Sequence, residues 1–167
     1  MLIFDSSTLI LIAKVELLDR FLKGIGMEIA IPKAVEDECC GGKKTLDALF
    51  IRKALDESRI KVKGVRNRKL VAKLEEDFSM GRGESEAIAL ALQEKALLVG
   101  IDDKNGMNAC KLAGIPFTTA VGILVRSREK GLIDRDDAAM KLSALAKFGW
   151  YRSAILEDAR LRLEEQP

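Results

Sequence analysis

The sequence predicts an α/β fold: a three-layer α/β/α sandwich around a mostly parallel central sheet of about four or five short strands. Three observations carry that expectation. Short apolar runs such as LLVGI at 97–101 are too brief for a stable helix but right for a buried strand. These runs alternate with segments of helical periodicity. Acids stand where the runs end, at the edge of an open parallel sheet where ligands bind. At 167 residues the chain is read as one domain, 1–167, able to bury a sound core without disulfides or structural metal.

In chain order, LIF at 2–4 is a strand ending at Asp5. Ser6, Ser7 and Thr8 can cap a helix whose apolar side, Leu9, Ile12, Leu17, Leu18 and Phe21, runs on to Gly24 or Gly26. MEIAI at 27–31 is a second strand, stopped by Pro32, which suits the first turn of the helix KAVEDEC. Gly41-Gly42 ends it, and a longer amphipathic helix over 45–57 is expected to bury Leu46, Leu49, Phe50 and Leu55. IKVK at 60–63 alternates with period two, as an edge strand does, its lysines toward solvent.

A helix over 67–78, the loop SMGRG and the central stretch follow. In that stretch Glu84 and Glu86 open a helix, LLVGI forms a strand, and Asp102-Asp103 precede another helix. PFTTA at 116–120 supplies a last short strand, with a helix through Arg126 to Gly131. Two more helices, over 134–148 and 152–165, form a C-terminal extension of the same domain.

Composition narrows the chemistry. Apolar residues make up 48% and charged residues 32%, as in globular rather than disordered chains. No apolar run reaches the roughly 18 residues of a membrane span, and MLIFD lacks the basic start of a secretory signal, so a cytoplasmic location without membrane attachment is expected. Three cysteines, two adjacent, make a poor disulfide framework and match no zinc spacing. Histidine is absent altogether, which excludes Ser-His-Asp, Cys-His and histidine-ligated zinc chemistry. Catalysis must therefore rest on carboxylates, lysines, hydroxyls or a bound metal.

The net charge of +2 favours no partner, but its distribution is uneven. RIKVKGVRNRKLVAK at 59–73 holds seven basic residues and no acid, including Arg66, Arg68 and Lys69. Beside a pocket of acids, such a stripe suits a metal-dependent enzyme acting on a polyanion; alone, it is equally a solvated helix face.

The acids near strand ends or helix starts are Asp5, Glu38, Glu84 with Glu86, and Asp102 with Asp103. Gathering them is reasonable around a hard divalent cation, which takes oxygen ligands. Each acid alone has a plainer reading: Asp5, Asp102 or Asp103 as a helix cap, Glu38 as solvated surface, Glu84 and Glu86 as partners of a helix dipole. Residues i and i+2 of a helix diverge by about 200°, so Glu84 and Glu86 cannot share one cation.

The combination LIFDSSTLI at 2–10, IPKAVEDE at 31–38, GESEAIALA at 83–91 and LLVGIDDK at 97–104, followed by KLAGIP, resembles the PIN-domain nucleases. Within them it is similar to the VapC-type toxins and to the prokaryotic subgroup with a GExEA helix. The resemblance covers almost the whole chain. It implies catalytic roles for Asp5, Glu38, Glu84 and Asp102, and Mg²⁺ or Mn²⁺ held by Asp5, Glu84 and Asp102, with Asp103 as a further ligand. Glu86 and Asp103 are the rivals of Glu84 and Asp102 at those two places. Ser6 and Thr8 stand where the family often has a hydroxyl supporting the first aspartate. The implied activity is metal-dependent hydrolysis of RNA phosphodiesters, as the toxin of a toxin–antitoxin pair, with a small antitoxin protein as partner and a homodimeric assembly.

Two departures stand out: no arginine follows the DDK element, where Met107 or Asn108 stands, and the third acid is Glu rather than Asp. The rival reading is a non-catalytic PIN-like module that grips RNA or protein. A receiver-like domain would require an acidic neighbour beside Asp5, and there is none.

Overall fold

The computed structural model describes residues 1–165. Five strands form one all-parallel sheet: β1 (Leu2–Phe4), β2 (Ile29–Pro32), β3 (Lys61–Lys63), β4 (Leu98–Gly100) and β5 (Phe117–Thr118). The order across the sheet is β3-β2-β1-β4-β5. Helices α1 (Ser6–Lys14), α2 (Leu18–Gly24), α3 (Lys33–Cys40) and α4 (Leu46–Asp56) fill the connections from β1 to β3. The chain then crosses by α5 (Arg68–Phe78) and α6 (Arg82–Glu94) to β4, and by α7 (Lys104–Ala113) to β5. It ends in α8 (Ala120–Glu129), α9 (Arg135–Phe148) and α10 (Ser153–Glu165).

Strand periodicity sorts the core into two halves. Leu2, Phe4, Ile29 and Ile31 face one apolar cluster with residues of α1, α2, α4, α8, α9 and α10. Ile3, Ala30, Val99 and Ile101 face the other, with α5, α6 and α7. Helices on both faces of a parallel sheet give the three-layer α/β/α sandwich. Because β2 lies on one side of β1 and β4 on the other, the strand order reverses at the β1–β4 pair. Ligands of open α/β sheets bind outside the carboxyl ends of the strands at such a point.

Two helices differ from the sequence reading. The expected single helix from Ser6 to Gly24 is broken, with Glu16 at φ 56° between α1 and α2. On a continuous helix, Leu9 and Ile12 would point roughly 150° away from Leu17, Leu18 and Phe21; the break lets both sets enter one core, where all five are buried. In α4 the fully buried apolar face is Ala48, Ile51 and Ala54; of the four residues expected there, Phe50 and Leu55 pack half-buried against the core, while Leu46 and Leu49 do not. Leu46 is 57% exposed and Leu49 50%, because the small alanines allow α4 to lie close against α1.

Candidate active site

Asp5 follows β1 directly and caps α1, its Oδ1 accepting from the Thr8 amide at 2.8 Å. The Asp5 amide meanwhile donates to the Gly100 carbonyl at 3.0 Å, tying the start of α1 to the end of β4. The cap leaves Oδ2 buried and, among the described residues, without a hydrogen-bond partner. Asp5 is 0% exposed. Burial pushes its pKa up to about 8; the Thr8 amide and hydroxyl pull it down, and the charges of Asp102 and Glu84 add to the rise. The Thr8 hydroxyl, itself buried, lies near enough to Asp5 and Asp102 to favour their charged forms. It completes a hydrogen bond of normal geometry to neither.

Asp102 stands just past β4, across the strand reversal from Asp5. Its Oδ2 accepts from the Ala120 amide at the start of α8 at 2.8 Å, and its Oδ1 from the Tyr151 hydroxyl at 2.6 Å. Burial holds its carboxyl above the ordinary range, against the pull of Tyr151, Ala120 and Thr8. Burial also raises the Tyr151 phenol, and the neighbouring Asp102 charge adds to that, so the hydroxyl remains a donor. Asp103, by contrast, caps α7, its Oδ1 accepting from the Asn105 and Gly106 amides at 2.8 and 2.9 Å.

Glu38 reaches back from the last turns of α3 to join two helix starts. Ser6 Oγ donates to its Oε2, and the Gly83 amide donates to its Oε1 at 3.0 Å. A Cβ on Gly83 would lie 2.3 Å from Glu38 Oε2, so a larger residue there would push the carboxylate aside. Glu84, one residue on, folds over the start of α6 to accept from the Gly81 amide at 2.6 Å. Its carboxyl is raised by burial and by the nearby charges of Asp103 and Glu38. At the carboxyl edge of the sheet Asp102 and Glu84 thus lie near enough to act on Asp5, and Asp103 and Glu38 near enough to act on Glu84, with Thr8 beside Asp5 and Ser6 on Glu38.

Glu86 belongs to a different arrangement. It is 2% exposed, and its Oε1 receives Arg68 Nη1 at 2.6 Å and Arg82 Nε at 3.1 Å. Its Oε2 takes the Ala34 amide at 3.3 Å. Burial works against its charge, yet Arg82, Ala34 and Arg68 together hold its pKa below the usual range. Glu86 therefore clamps α6 to α3 and α5, facing away from the other acids as the helical period requires.

The basic stripe lies on the layer of α5 and the β3 edge, and most of it is paired. Arg59, Lys61, Lys63, Arg68 and Lys73 each meet a carboxylate within 4 Å. Among the described residues Arg66 and Lys69 have no such pair; both are exposed. Tyr151 was not anticipated from the sequence. It lies 49 residues from Asp102 in a segment with no motif, and its signal was only a lone tyrosine between two helices.

Among the described residues, no group of three or more His, Cys, Asp or Glu stands ready-assembled as a metal cage. The reason is visible: Glu38, Glu84 and Asp103 each engage backbone amides. The residues nevertheless fit a hard divalent cation. Asp5 Oδ2 is buried and, among the described residues, lacks a partner, and the charges of Asp102 and Glu84 add to the cost of ionising Asp5. A cation there would supply the first and cancel the second.

No curated protein and no solved structure significantly matches the chain. A family model described as a PIN domain does match, over residues 1–166. PIN domains are a nuclease-type family that generally uses divalent metals, in keeping with the acids gathered at the strand reversal. With the match extending over almost its entire length, this chain belongs to the PIN-domain family.

Proposed function

We propose that this PIN domain is a Mg²⁺- or Mn²⁺-dependent endoribonuclease. The observation that carries the reading is Asp5: wholly buried, one oxygen fixed by Thr8, the other, among the described residues, without a partner and turned among acids. A carboxyl that had only to cap α1 would not need such surroundings. Asp5, Glu84 and Asp102 would hold the cation, with Asp103 an outer ligand through water. When bound, such a cation activates water and offsets charge developing on a phosphate.

The chain's own residues prepare that site. Thr8 fixes Asp5, Ala120 and Tyr151 fix Asp102, and Ser6 with Gly83 holds Glu38 at the rim. Glu38 is then a fixed acceptor for a proton leaving the attacking water. Arg66 and Lys69, with Arg68 beside Glu86, offer positive charge to a polyanion's backbone. The experiment is cleavage of labelled RNA with manganese and with EDTA. Manganese-dependent fragments that vanish in Asp5→Asn support the reading; uncut RNA in both refutes it.

The finer assignment, a VapC-like toxin that dimerises and is neutralised by a small antitoxin protein, rests on the motif resemblance. A neighbouring short reading frame encoding a DNA-binding protein, and the mass of the purified chain in solution, test its two halves. The rival reading, a non-catalytic RNA- or protein-binding module, draws on Glu38 and Glu84 being engaged with backbone amides. It requires RNA or protein binding without cleavage.

A further inference from the structure

The linker between α9 and α10 is pinned at one residue and exposed at its neighbour. Tyr151 is anchored by its hydroxyl on Asp102 Oδ1. The turn that brings it there needs Gly149, since a Cβ on that residue would lie 2.4 Å from the Tyr151 ring. Trp150, the chain's single tryptophan, is fully exposed. Consecutive Cα atoms are about 3.8 Å apart, so this indole stands one residue from a side chain that touches the acid site. Leaving the largest apolar side chain wholly in water, on an anchored loop, forgoes the burial that such residues ordinarily contribute.

The surroundings point to one kind of occupant. Phe148, two residues earlier, is 53% exposed, and Lys14 Nζ lies 5.4 Å from its ring centroid. The segment KFGWYR at 147–152 holds three aromatics between a cation at each end and has no acid. Lys14, Lys147 and Arg152 are exposed and, among the described residues, have no ion-pair partner. In the 59–73 stripe, by contrast, five of seven basic groups are paired. Aromatic faces interleaved with unpaired cations are how proteins hold single-stranded nucleic acid, stacking bases and neutralising phosphates. A two-fold contact with a second copy across this segment would set its cations against themselves.

We propose that residues 147–152, with Lys14, form a single-strand track beside the acid site. An unpaired base stacks on Trp150, and Lys14, Lys147 and Arg152 take the flanking phosphates. This deepens the ribonuclease reading and rests on it: the strand held on Trp150 is the one led to Asp5 and Asp102. Stacking on Trp150 needs an unpaired base, because a base inside a duplex has no free face to offer.

The single tryptophan supplies the test. The full chain in EDTA, where cleavage is off, is titrated with a labelled single-stranded oligoribonucleotide, the same strand with abasic sites, and a duplex. Binding is followed by anisotropy of the label and by Trp150 fluorescence. The expected result is fluorescence quenching by the single strand, little by the abasic strand or the duplex, and binding weakened about tenfold in Trp150→Ala but largely kept in Trp150→Phe. RNA that binds without altering the fluorescence, or equally well to Trp150→Ala, overturns the track. So does a fluorescence change that follows protein concentration alone, which would make this face a contact between copies. Manganese-dependent cleavage with unaltered Trp150→Ala binding removes the track and leaves the nuclease. Quenching without cleavage in manganese leaves the track and removes the nuclease.

Discussion

Tyr151 donates its hydroxyl to Asp102 Oδ1 at 2.6 Å, joining the C-terminal helices to the strand-end acids across 49 residues of chain. The same carboxylate takes the Ala120 amide on its other oxygen, so both its rotation and its position are set by the protein. Tyr151 therefore acts through Asp102 as a positioning residue.

Tyr151→Phe should keep the fold, since the ring remains, while freeing one Asp102 oxygen. Loss of such an outer partner typically weakens a metal site by about 10- to 100-fold. Manganese titration followed by electron paramagnetic resonance should show that loss, with RNA cleavage falling in step. An unchanged manganese affinity would reduce the Tyr151 bond to a packing detail.

Asp5 sets a pH dependence in the metal-free protein. Its folded pKa is raised from 3.8 to about 8, so folded Asp5 keeps a proton that the unfolded chain has already lost. Its contribution is full below 3.8 and is lost as pH rises toward 8. At about 1.4 kcal/mol per pH unit the ceiling is on the order of 6 kcal/mol, which water entering the pocket would reduce. Asp102 and Glu84, raised in the same direction, add to the trend. Asp5→Asn should therefore melt higher than the parent at pH 8 and about equally at pH 4, with EDTA present in both melts.

Manganese should reverse that order. At pH 8 millimolar Mn²⁺ should raise the melting temperature of the parent chain, because a cation that binds only the folded form stabilises it by mass action. Asp5→Asn should gain little. Equal gains in both proteins would place any bound metal elsewhere.

Glu84 and Glu86 should separate cleanly. Glu86→Gln leaves Arg68 and Arg82 without their shared carboxylate and should destabilise the fold. Both guanidinium groups are more than half exposed, so solvent screening holds the loss to roughly 1–3 kcal/mol in urea unfolding. Glu84→Gln should stay folded and lose cleavage. A dead but stable Glu86 variant beside an active Glu84 variant would invert these assignments.

Gly83→Ala should push the Glu38 carboxylate off the Gly83 amide; alanine's better helix propensity, about 1 kcal/mol, offsets part of the lost hydrogen bond, so the net loss in urea unfolding should be about 1 kcal/mol or less. Pairing it with Glu38→Ala removes the clash, so the double variant should lose less than the two single losses added together. Strict additivity would mean that the Gly83–Glu38 approach is relaxed in solution.

Much of this was legible in the chain itself. LIF before Asp5 and LLVGI before Asp102 marked strands ending on acids, because a buried strand reads as an unbroken apolar run and its carboxyl end is where the polar chain resumes. The lysines of β3 marked the sheet edge for the same kind of reason. The helical period alone separates Glu84 from Glu86. Side-chain size did not say which face of α4 was buried, because Ala48 and Ala54 are chosen for how near α1 lies, a tertiary distance. Nor could charge along the sequence say that Arg68 pairs with Glu86 while, among the described residues, Lys14, Lys147 and Arg152 have no carboxylate partner. Those outcomes depend on which helices become neighbours. Tyr151 is the clearest case: a lone tyrosine gains a role only when α9 and α10 pack on α8 and bring their linker to Asp102, and local sequence carries no record of that return.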